Sequence, residues 1–284
     1  MKLTDNFSAL APGYDAVLSD VWGVLHNGIA AFPESGDALV RFRAEGGTVV
    51  LISNAPRPGD FVARMLDNMR VPRAAYDDIV TSGDVTRDYV KGRPGEPILH
   101  IGPERDHGIF EGLYAPIAPL ESADYVICTG LFDDDTETPE SYRPLLEKIR
   151  ARGLFMVCAN PDKVVERGDR LVYCAGAVAD LYGEMGGEVL YAGKPYRPIY
   201  DLGRAKIAAA RGREVALPRL LAIGDSVRTD FRGAIDLGVD CLFVTAGIHA
   251  EELGHRDAPD PKALAKIFEG AGQLPTAVTK RLAW

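Results

Sequence analysis

Three short apolar runs in this chain each close on a polar or acidic residue at a turn. Ala16-Val17-Leu18 leads into Ser19-Asp20, Thr48-Val49-Val50-Leu51-Ile52 into Ser53-Asn54, and Leu220-Leu221-Ala222-Ile223 into Gly224-Asp225. Runs without polar alternation, rich in β-branched residues and bounded by turn formers, predict strands buried on both faces, the situation of central strands in a parallel sheet. Between and beyond them, Ala38–Ala44, Phe61–Asn68, Ile199–Ala210 and Ala263–Phe268 repeat apolar residues at helical spacing. Strands alternating with helices predict an α/β fold with a Rossmann-like parallel sheet.

Four further runs, Ile98–Ile101, Tyr125–Thr129, Phe155–Ala159 and Leu171–Cys174, predict a second βα series in the middle of the chain. We therefore expect residues 1–83 and 188–284 to form a core, with residues 84–187 inserted as a separate α/β domain. The acidic segment Asp133-Asp134-Asp135-Thr136-Glu137 and the Pro/Gly-rich stretch Lys91–Pro97 read as solvated loops. After His255 the pattern gives one helix and a tail.

Composition narrows the class of partner. With 46% hydrophobic and 26% charged residues the chain can build a buried core, which excludes an intrinsically disordered protein. A formal charge of -9 without any basic run argues against nucleic acid as a partner. Cys128, Cys158, Cys174 and Cys241 stand singly in apolar stretches, which predicts buried free thiols in a reducing compartment. Met1 to Gly13 lacks the apolar core of a secretory signal, and no later run is long and apolar enough to span a membrane. A cytoplasmic protein without a membrane partner is the expectation.

Ligands of open parallel sheets bind beyond the carboxyl ends of the strands, so residues that close strands are the first candidates for chemistry. Four strand ends qualify: Asp20, Ser53-Asn54, Lys194 after Tyr191-Ala192-Gly193, and Asp225 with Asp230. Each has a plain structural alternative: a turn aspartate, a helix N-cap at Ser53, a solvated lysine. Together and in this order they supply a carboxylate nucleophile, a hydroxyl donor, a cation and acidic metal ligands, the set needed for phosphoryl transfer through an aspartyl-phosphate.

The chain resembles the haloacid dehalogenase (HAD) superfamily, in its NagD-like class IIA branch. The resemblance rests on Asp20-Val21-Trp22-Gly23-Val24-Leu25, Leu51-Ile52-Ser53-Asn54, Gly193-Lys194-Pro195, and Gly224-Asp225-Ser226 leading to Thr229-Asp230. Cys158-Ala159-Asn160-Pro161-Asp162 looks like the Asn-Pro-Asp segment of the class IIA cap, which the resemblance places at residues 84–187. It implies a Mg²⁺-dependent phosphatase of a small phosphorylated metabolite with Asp20 as nucleophile. Asp225, the Asp20 carboxylate and the backbone carbonyl of Trp22 would hold Mg²⁺, and Asp230 would anchor it through water or orient the loop. Ser53 and Lys194 would bind the transferring phosphoryl oxygens. Asn54 would add a polar contact or form a turn, and Asn160 and Asp162 would meet the substrate. A homodimer formed through the cap fits the same resemblance.

The chain departs from the family at Trp22. HAD phosphatases generally carry a second Asp two positions after the nucleophile as general acid and base, and Trp has no titratable group. Two alternatives follow: hydrolysis of another bond, such as carbon–halogen, by the same carboxylate, or an impaired HAD domain that binds a phosphate ligand and regulates a partner. His26 is a candidate replacement acid, with loop packing as its plain alternative. Arg57 and Arg228, near the second and fourth motifs, are cations that could meet an anionic substrate, with simple exposure as theirs.

Overall fold

The computed structural model describes residues 2–4, 6–167, 170–250, 252–254 and 260–284, so Met1, Asp5 and His255 lie outside the described residues. Its strands are, in chain order, β1 (Lys2–Leu3), β2 (Ala16–Ser19), β3 (Thr48–Ser53), β4 (Asp78–Thr81), β5 (Ile98–Ile101), β6 (Tyr125–Cys128), β7 (Met156–Cys158), β8 (Val164–Arg167), β9 (Arg170–Tyr173), β10 (Val189–Tyr191), β11 (Leu220–Gly224), β12 (Asp240–Val244) and β13 (Ala277–Thr279). The α-helices are α1 (Pro33–Ala44), α2 (Gly59–Asn68), α3 (Ser82–Lys91), α4 (Arg143–Ala151), α5 (Ala175–Glu184), α6 (Arg197–Arg211), α7 (Arg232–Leu237) and α8 (Pro261–Glu269). The four helical stretches expected from periodicity fall within α1, α2, α6 and α8. Among the described residues no helix is long and apolar enough to cross a membrane.

The chain divides into two compact units. Met1–Ser53, Ala63–Val80 and Tyr200–Trp284 make the first, and Asn54–Val62 with Thr81–Ile199 the second. Residues 84–187, the expected insert, lie within the second unit, which also takes in 54–62, 81–83 and 188–199.

The first unit holds a seven-stranded sheet in the order β1-β13-β12-β11-β2-β3-β4. The three opening runs are its neighbours β11, β2 and β3, paired parallel, with Ile223 opposite Ser19 and Ser19 opposite Leu51. Val17, Leu18, Val49, Val50, Leu51 and Leu221 are fully buried, as runs without polar alternation require. Next to them, α8 contributes Leu264 and Phe268 to a cluster with Phe231, Cys241 and Phe243, each such apolar side chain stabilising the fold by about 1.5–3 kcal/mol. Because β2 and β11 run side by side in the same direction, the residues that follow them, Asp20 and Asp225, emerge at the same edge of the sheet.

The second unit holds a four-stranded sheet in the order β10-β7-β6-β5, parallel throughout. Successive side chains of its strands point to opposite faces. Val126, Cys128, Met156 and Cys158 thus join one core with α4 and α5, while Tyr125, Ile127, Val157 and Ala159 join another with Val90 of α3. All four cysteines are buried and free, as expected.

Two strands differ from the sequence expectation. The run Leu171–Cys174 is no member of the parallel series: β9 pairs antiparallel with β8 as a two-stranded ribbon, with Leu171 and Tyr173 exposed and Val172 and the following Cys174 buried. Leu171 and Tyr173 lie on the open face, which hydropathy alone does not distinguish from a core face. The strand that precedes Lys194 is β10, which pairs with β7, so its carboxyl end belongs to the smaller sheet rather than to the larger one.

Candidate active site

Asp20, Asp225 and Asp230 are buried, at 7%, 5% and 3% exposure, and each offers a carboxylate oxygen within 4.8 Å of the others. Backbone pairing sets Asp20, whose N–H donates to the Ile223 carbonyl of β11 at 2.8 Å while its Oδ1 accepts from the Val21 N–H at 2.7 Å. Asp230 reaches the same place through a wide turn. Val227–Phe231 is wound as a π-helix, capped by the Ser226 hydroxyl, which accepts from the Thr229 N–H. The Ser226 carbonyl accepts from Asp230 and Phe231, and the Asp230 carboxylate in turn accepts from the Ser226 N–H at 3.1 Å. Inserted π-turns of this kind recur at functional sites, and here one brings residues five apart into a single cluster.

Asp225 shows how closely the backbone crowds this pocket. Its Oδ2 accepts from the Ile248 N–H at 2.7 Å. A methyl group on either Gly23 or Gly247 would collide with that carboxylate, and Gly23 has φ +87°, which disfavours any side chain. The loop after β12 that supplies Gly247 and Ile248 was not singled out from the sequence. Its signal was present, since Thr245-Ala246-Gly247 follows the apolar run Cys241–Val244 just as Ser19-Asp20 and Gly224-Asp225 follow theirs.

Three buried carboxylates this close repel one another, and at the effective dielectric of protein sites two unit charges 4 Å apart interact by roughly 4 kcal/mol. A divalent cation relieves that repulsion. The donors are all carboxylate oxygens, without sulfur or imidazole, which suits a hard cation such as Mg²⁺ or Ca²⁺.

Trp22 packs into its own loop. Its indole lies against Gly28, which has φ +85°, and its ring meets the His26 ring edge-on at 5.0 Å between centroids. His26 is fully buried: Nδ1 accepts from the Gly28 N–H at 2.9 Å, and Nε2 has no hydrogen-bond partner among the described residues. Burial pushes its pKa down to about 4, so at neutral pH the ring is uncharged with its proton on Nε2. The loop-packing role fits this environment better than that of an acid exchanging protons with solvent.

Asn54, Asn160, Asp162 and Lys194 sit in the second unit, around the Asn54 amide. Asn54 Nδ2 donates to Asp162 Oδ1 at 2.9 Å and to the Lys194 carbonyl at 3.2 Å, while its Oδ1 accepts from the Lys194 N–H at 2.7 Å and from the Ser82 hydroxyl at 3.5 Å. Asn160 Oδ1 accepts from the Asp162 N–H at 3.1 Å. The amide of Asn54 has two donors and two acceptor sites, all engaged here, so it fastens the Asn160-Pro161-Asp162 segment to the backbone of Lys194 instead of offering itself to a substrate. Lys194 is 2% exposed and precedes a cis peptide bond to Pro195. Ser53, also buried, closes β3 in the first unit. Asp133, Asp134 and Asp135 also cluster, but Asp133 and Asp135 are exposed, and Arg105 and Arg167 both pair with the half-buried Asp134.

Comparison with known proteins gives the family. The family of haloacid dehalogenase-like hydrolases matches residues 17–114, and a second HAD-hydrolase-like family matches residues 191–271. A crystal structure of a hydrolase of the haloacid dehalogenase-like family from Brucella suis 1330 is 44% identical, covers 99% of this chain and 100% of its own, and superimposes with a TM-score of 0.88. An acid sugar phosphatase of Staphylococcus aureus (strain USA300) is 23% identical over 92% of this chain and 98% of its own. NagD from Escherichia coli K-12 is 20% identical and shares the fold with a TM-score of 0.68, over 95% of this chain and 97% of its own. With whole-length identity to one member and the carboxylates of the motifs gathered at adjacent strand ends, the chain belongs to the haloacid dehalogenase superfamily and has the fold of its NagD-like branch.

Proposed function

We propose that this protein is a Mg²⁺-dependent phosphatase of a small phosphorylated metabolite, working through a phosphorylated Asp20. The observation that carries the reading is the buried group of Asp20, Asp225 and Asp230 at the carboxyl ends of β2 and β11. The similarity to an acid sugar phosphatase supports it. An alkyl halide needs no cation to accept attack by a carboxylate, so a pocket suited to one favours phosphate over the carbon–halogen alternative.

In this reading an Asp20 oxygen attacks phosphorus, the bond from phosphorus to the leaving oxygen breaks, and that oxygen takes up a proton. Water then attacks the phosphorus of the acyl phosphate, the bond to Asp20 breaks, and the carboxylate is restored with one water consumed. Asp20, Asp225 and the Trp22 carbonyl would hold Mg²⁺, with Asp230 behind them. When bound, it supplies positive charge between an anionic nucleophile and an anionic phosphate. Ser53 and Lys194 are assigned the transferring oxygens by their place in the motifs, and Asn54 is a positioning residue for Lys194. The second unit is read as the cap, and four buried thiols suit the reducing cytoplasm.

Trp22 sets the substrate preference. General acid assistance is worth roughly 10²–10⁴-fold in rate, and the Asp20 loop offers no titratable side chain before the buried His26. Esters with good leaving groups, such as aryl and acyl phosphates, should therefore outrun alkyl phosphates. A panel of phosphate esters assayed with and without Mg²⁺ tests the proposal. Turnover should need Mg²⁺ and rise steeply as leaving-group pKa falls, whereas no turnover of any ester would favour the regulatory alternative.

A further inference from the structure

β12 lies beside β11 and runs parallel to it, with Phe243 opposite Gly224, so the loop that leaves β12 emerges next to the one that carries Asp225 and Asp230. Both loops belong to the first unit. The loop after β12 is tied down at its start, where Thr245 and Ala246 donate backbone N–H groups to the carbonyls of Thr279 and Lys280, each at 3.0 Å. Two consecutive residues then meet the neighbouring loop. The Ile248 N–H donates to Asp225 Oδ2 at 2.7 Å, and the Val227 N–H donates to Nε2 of the His249 ring at 3.2 Å.

Val227 opens the π-turn that brings Asp230 to Asp225. The first N–H groups of a helical turn have no partner within it. The Ser226 hydroxyl takes that of Thr229, and His249 takes that of Val227, two residues beyond Asp225. A ring nitrogen that accepts carries no proton, so the proton of the neutral imidazole sits on Nδ1. From there it is donated to Glu252 Oε2 at 2.6 Å. The Leu253 N–H donates to the His249 carbonyl at 3.0 Å and closes the backbone turn that carries Glu252. The His249 ring lies against Phe243, with 6.2 Å between centroids, and its side chain is 21% exposed. Packing accounts for a ring beside Phe243. It does not account for an acceptor nitrogen on a peptide group between Asp225 and Asp230, or for a carboxylate that selects the tautomer able to accept.

We propose that His249, with its tautomer held by Glu252, is a positioning residue for the Mg²⁺ site, fixing the Val227 peptide and through the π-turn the placement of Asp230 against Asp225. This rests on the metal-dependent reading of the carboxylate pocket and adds to it a residue outside the four motifs.

The test uses the full-length protein freed of divalent ions by chelation. His249→Phe keeps a flat ring beside Phe243 and removes the acceptor. Calorimetric titration with Mg²⁺ should give a dissociation constant about tenfold or more above that of the wild type, the usual cost of losing an outer partner of a metal site. Before any metal is added, the Val227 amide should exchange with deuterium about tenfold faster, because the turn it opens has lost its cap. With 4-nitrophenyl phosphate the half-saturating Mg²⁺ concentration should rise as the dissociation constant does, and kcat should return to within about threefold of wild type once Mg²⁺ saturates. His249→Gln, whose amide oxygen extends to the place of Nε2, should recover most of the affinity. Glu252→Ala should weaken Mg²⁺ binding by about threefold or more, and Glu252→Gln, which still accepts from Nδ1–H, should recover it. Should His249→Phe not fold, the two Glu252 variants decide. Mg²⁺ affinity unchanged in His249→Phe and Glu252→Ala would overturn the inference, and so would a Glu252→Gln protein as weak as Glu252→Ala, which would make the role of Glu252 one of charge alone. A wild type that takes up no Mg²⁺ defeats the metal reading by itself, and Val227 exchange in His249→Phe then decides whether His249 holds the turn. Mg²⁺ binding without turnover of any ester defeats only the phosphatase reading and leaves the affinity ratios to decide the role of His249.

Discussion

The two units treat buried acids differently. In the first, Asp20, Asp225 and Asp230 are aimed by backbone N–H groups of Val21, Ile248 and Ser226, and three like charges end up side by side. In the second, the buried Asp106 is met by a guanidinium. Asp106 Oδ1 accepts from Arg57 Nε, while Asp84 closes the capping box of α3, its carboxylate accepting from the backbone N–H groups of Thr81 and Gly59. A backbone donor fixes where a carboxylate points without neutralising it, whereas a guanidinium does both. Three acids converging on one place therefore mark the chemistry, and an acid matched to a guanidinium or closing a helix cap marks folding.

The largest effect that sharpens this contrast belongs to Asp20. Asp20→Asn keeps the size and removes the nucleophile, and turnover of 4-nitrophenyl phosphate should fall by about 10⁴-fold or more while the melting temperature stays within a few degrees. Asp84→Asn, by comparison, should act on stability, costing about 1 kcal/mol through the capping box of α3. If both variants lost activity alike, the contrast between the units would break.

Gly247→Ala tests whether the first pocket depends on the close approach of backbone to Asp225. The added methyl must displace the carboxylate, and a misplacement of about 1 Å can cost on the order of 10²-fold in rate. We expect a loss of that size together with a higher Mg²⁺ requirement, read from initial rates across a Mg²⁺ titration. An unchanged titration would separate Asp225 from the metal.

A smaller effect is expected from pH on the second unit. Burial, with His107 nearby, pushes the His100 pKa down to about 4, against about 6.5 for an exposed histidine. Between those values the unfolded chain binds a proton that the folded one does not, so stability falls as pH drops from about 6.5 towards 4, by about 2–3 kcal/mol in all. In denaturant titrations over that window His100→Gln should flatten the decline. An equally steep decline in the variant would move its cause to other groups.

The sequence reached the pocket because the signal there is local. An apolar run closed by Ser19-Asp20 or Gly224-Asp225 is visible within a few residues, and parallel neighbours carry such ends to one edge. What stayed illegible depends on pairing at a distance. Nothing near Val189–Tyr191 says that the strand joins β7, and Leu171 and Tyr173 look like core residues until the open face of the β8–β9 ribbon is seen. Asn54 reads equally as a turn former or a ligand contact, and only the convergence of Asp162, Lys194 and Ser82 on its amide gives it a positioning role. Arg57 and Asp106 are 49 residues apart and belong to no shared motif.

The central claim is that Asp20 becomes covalently phosphorylated during turnover. Rapid mixing of the Mg²⁺-loaded protein with an acyl or aryl phosphate, an acid quench within the first turnover, and peptide mass analysis test it directly. The account predicts one phosphoryl group on the peptide containing Asp20, labile to hydroxylamine as an acyl phosphate should be, and absent from the Asp20→Asn protein. Steady hydrolysis with that peptide unmodified at every quench time, or undiminished turnover by Asp20→Asn, would contradict it.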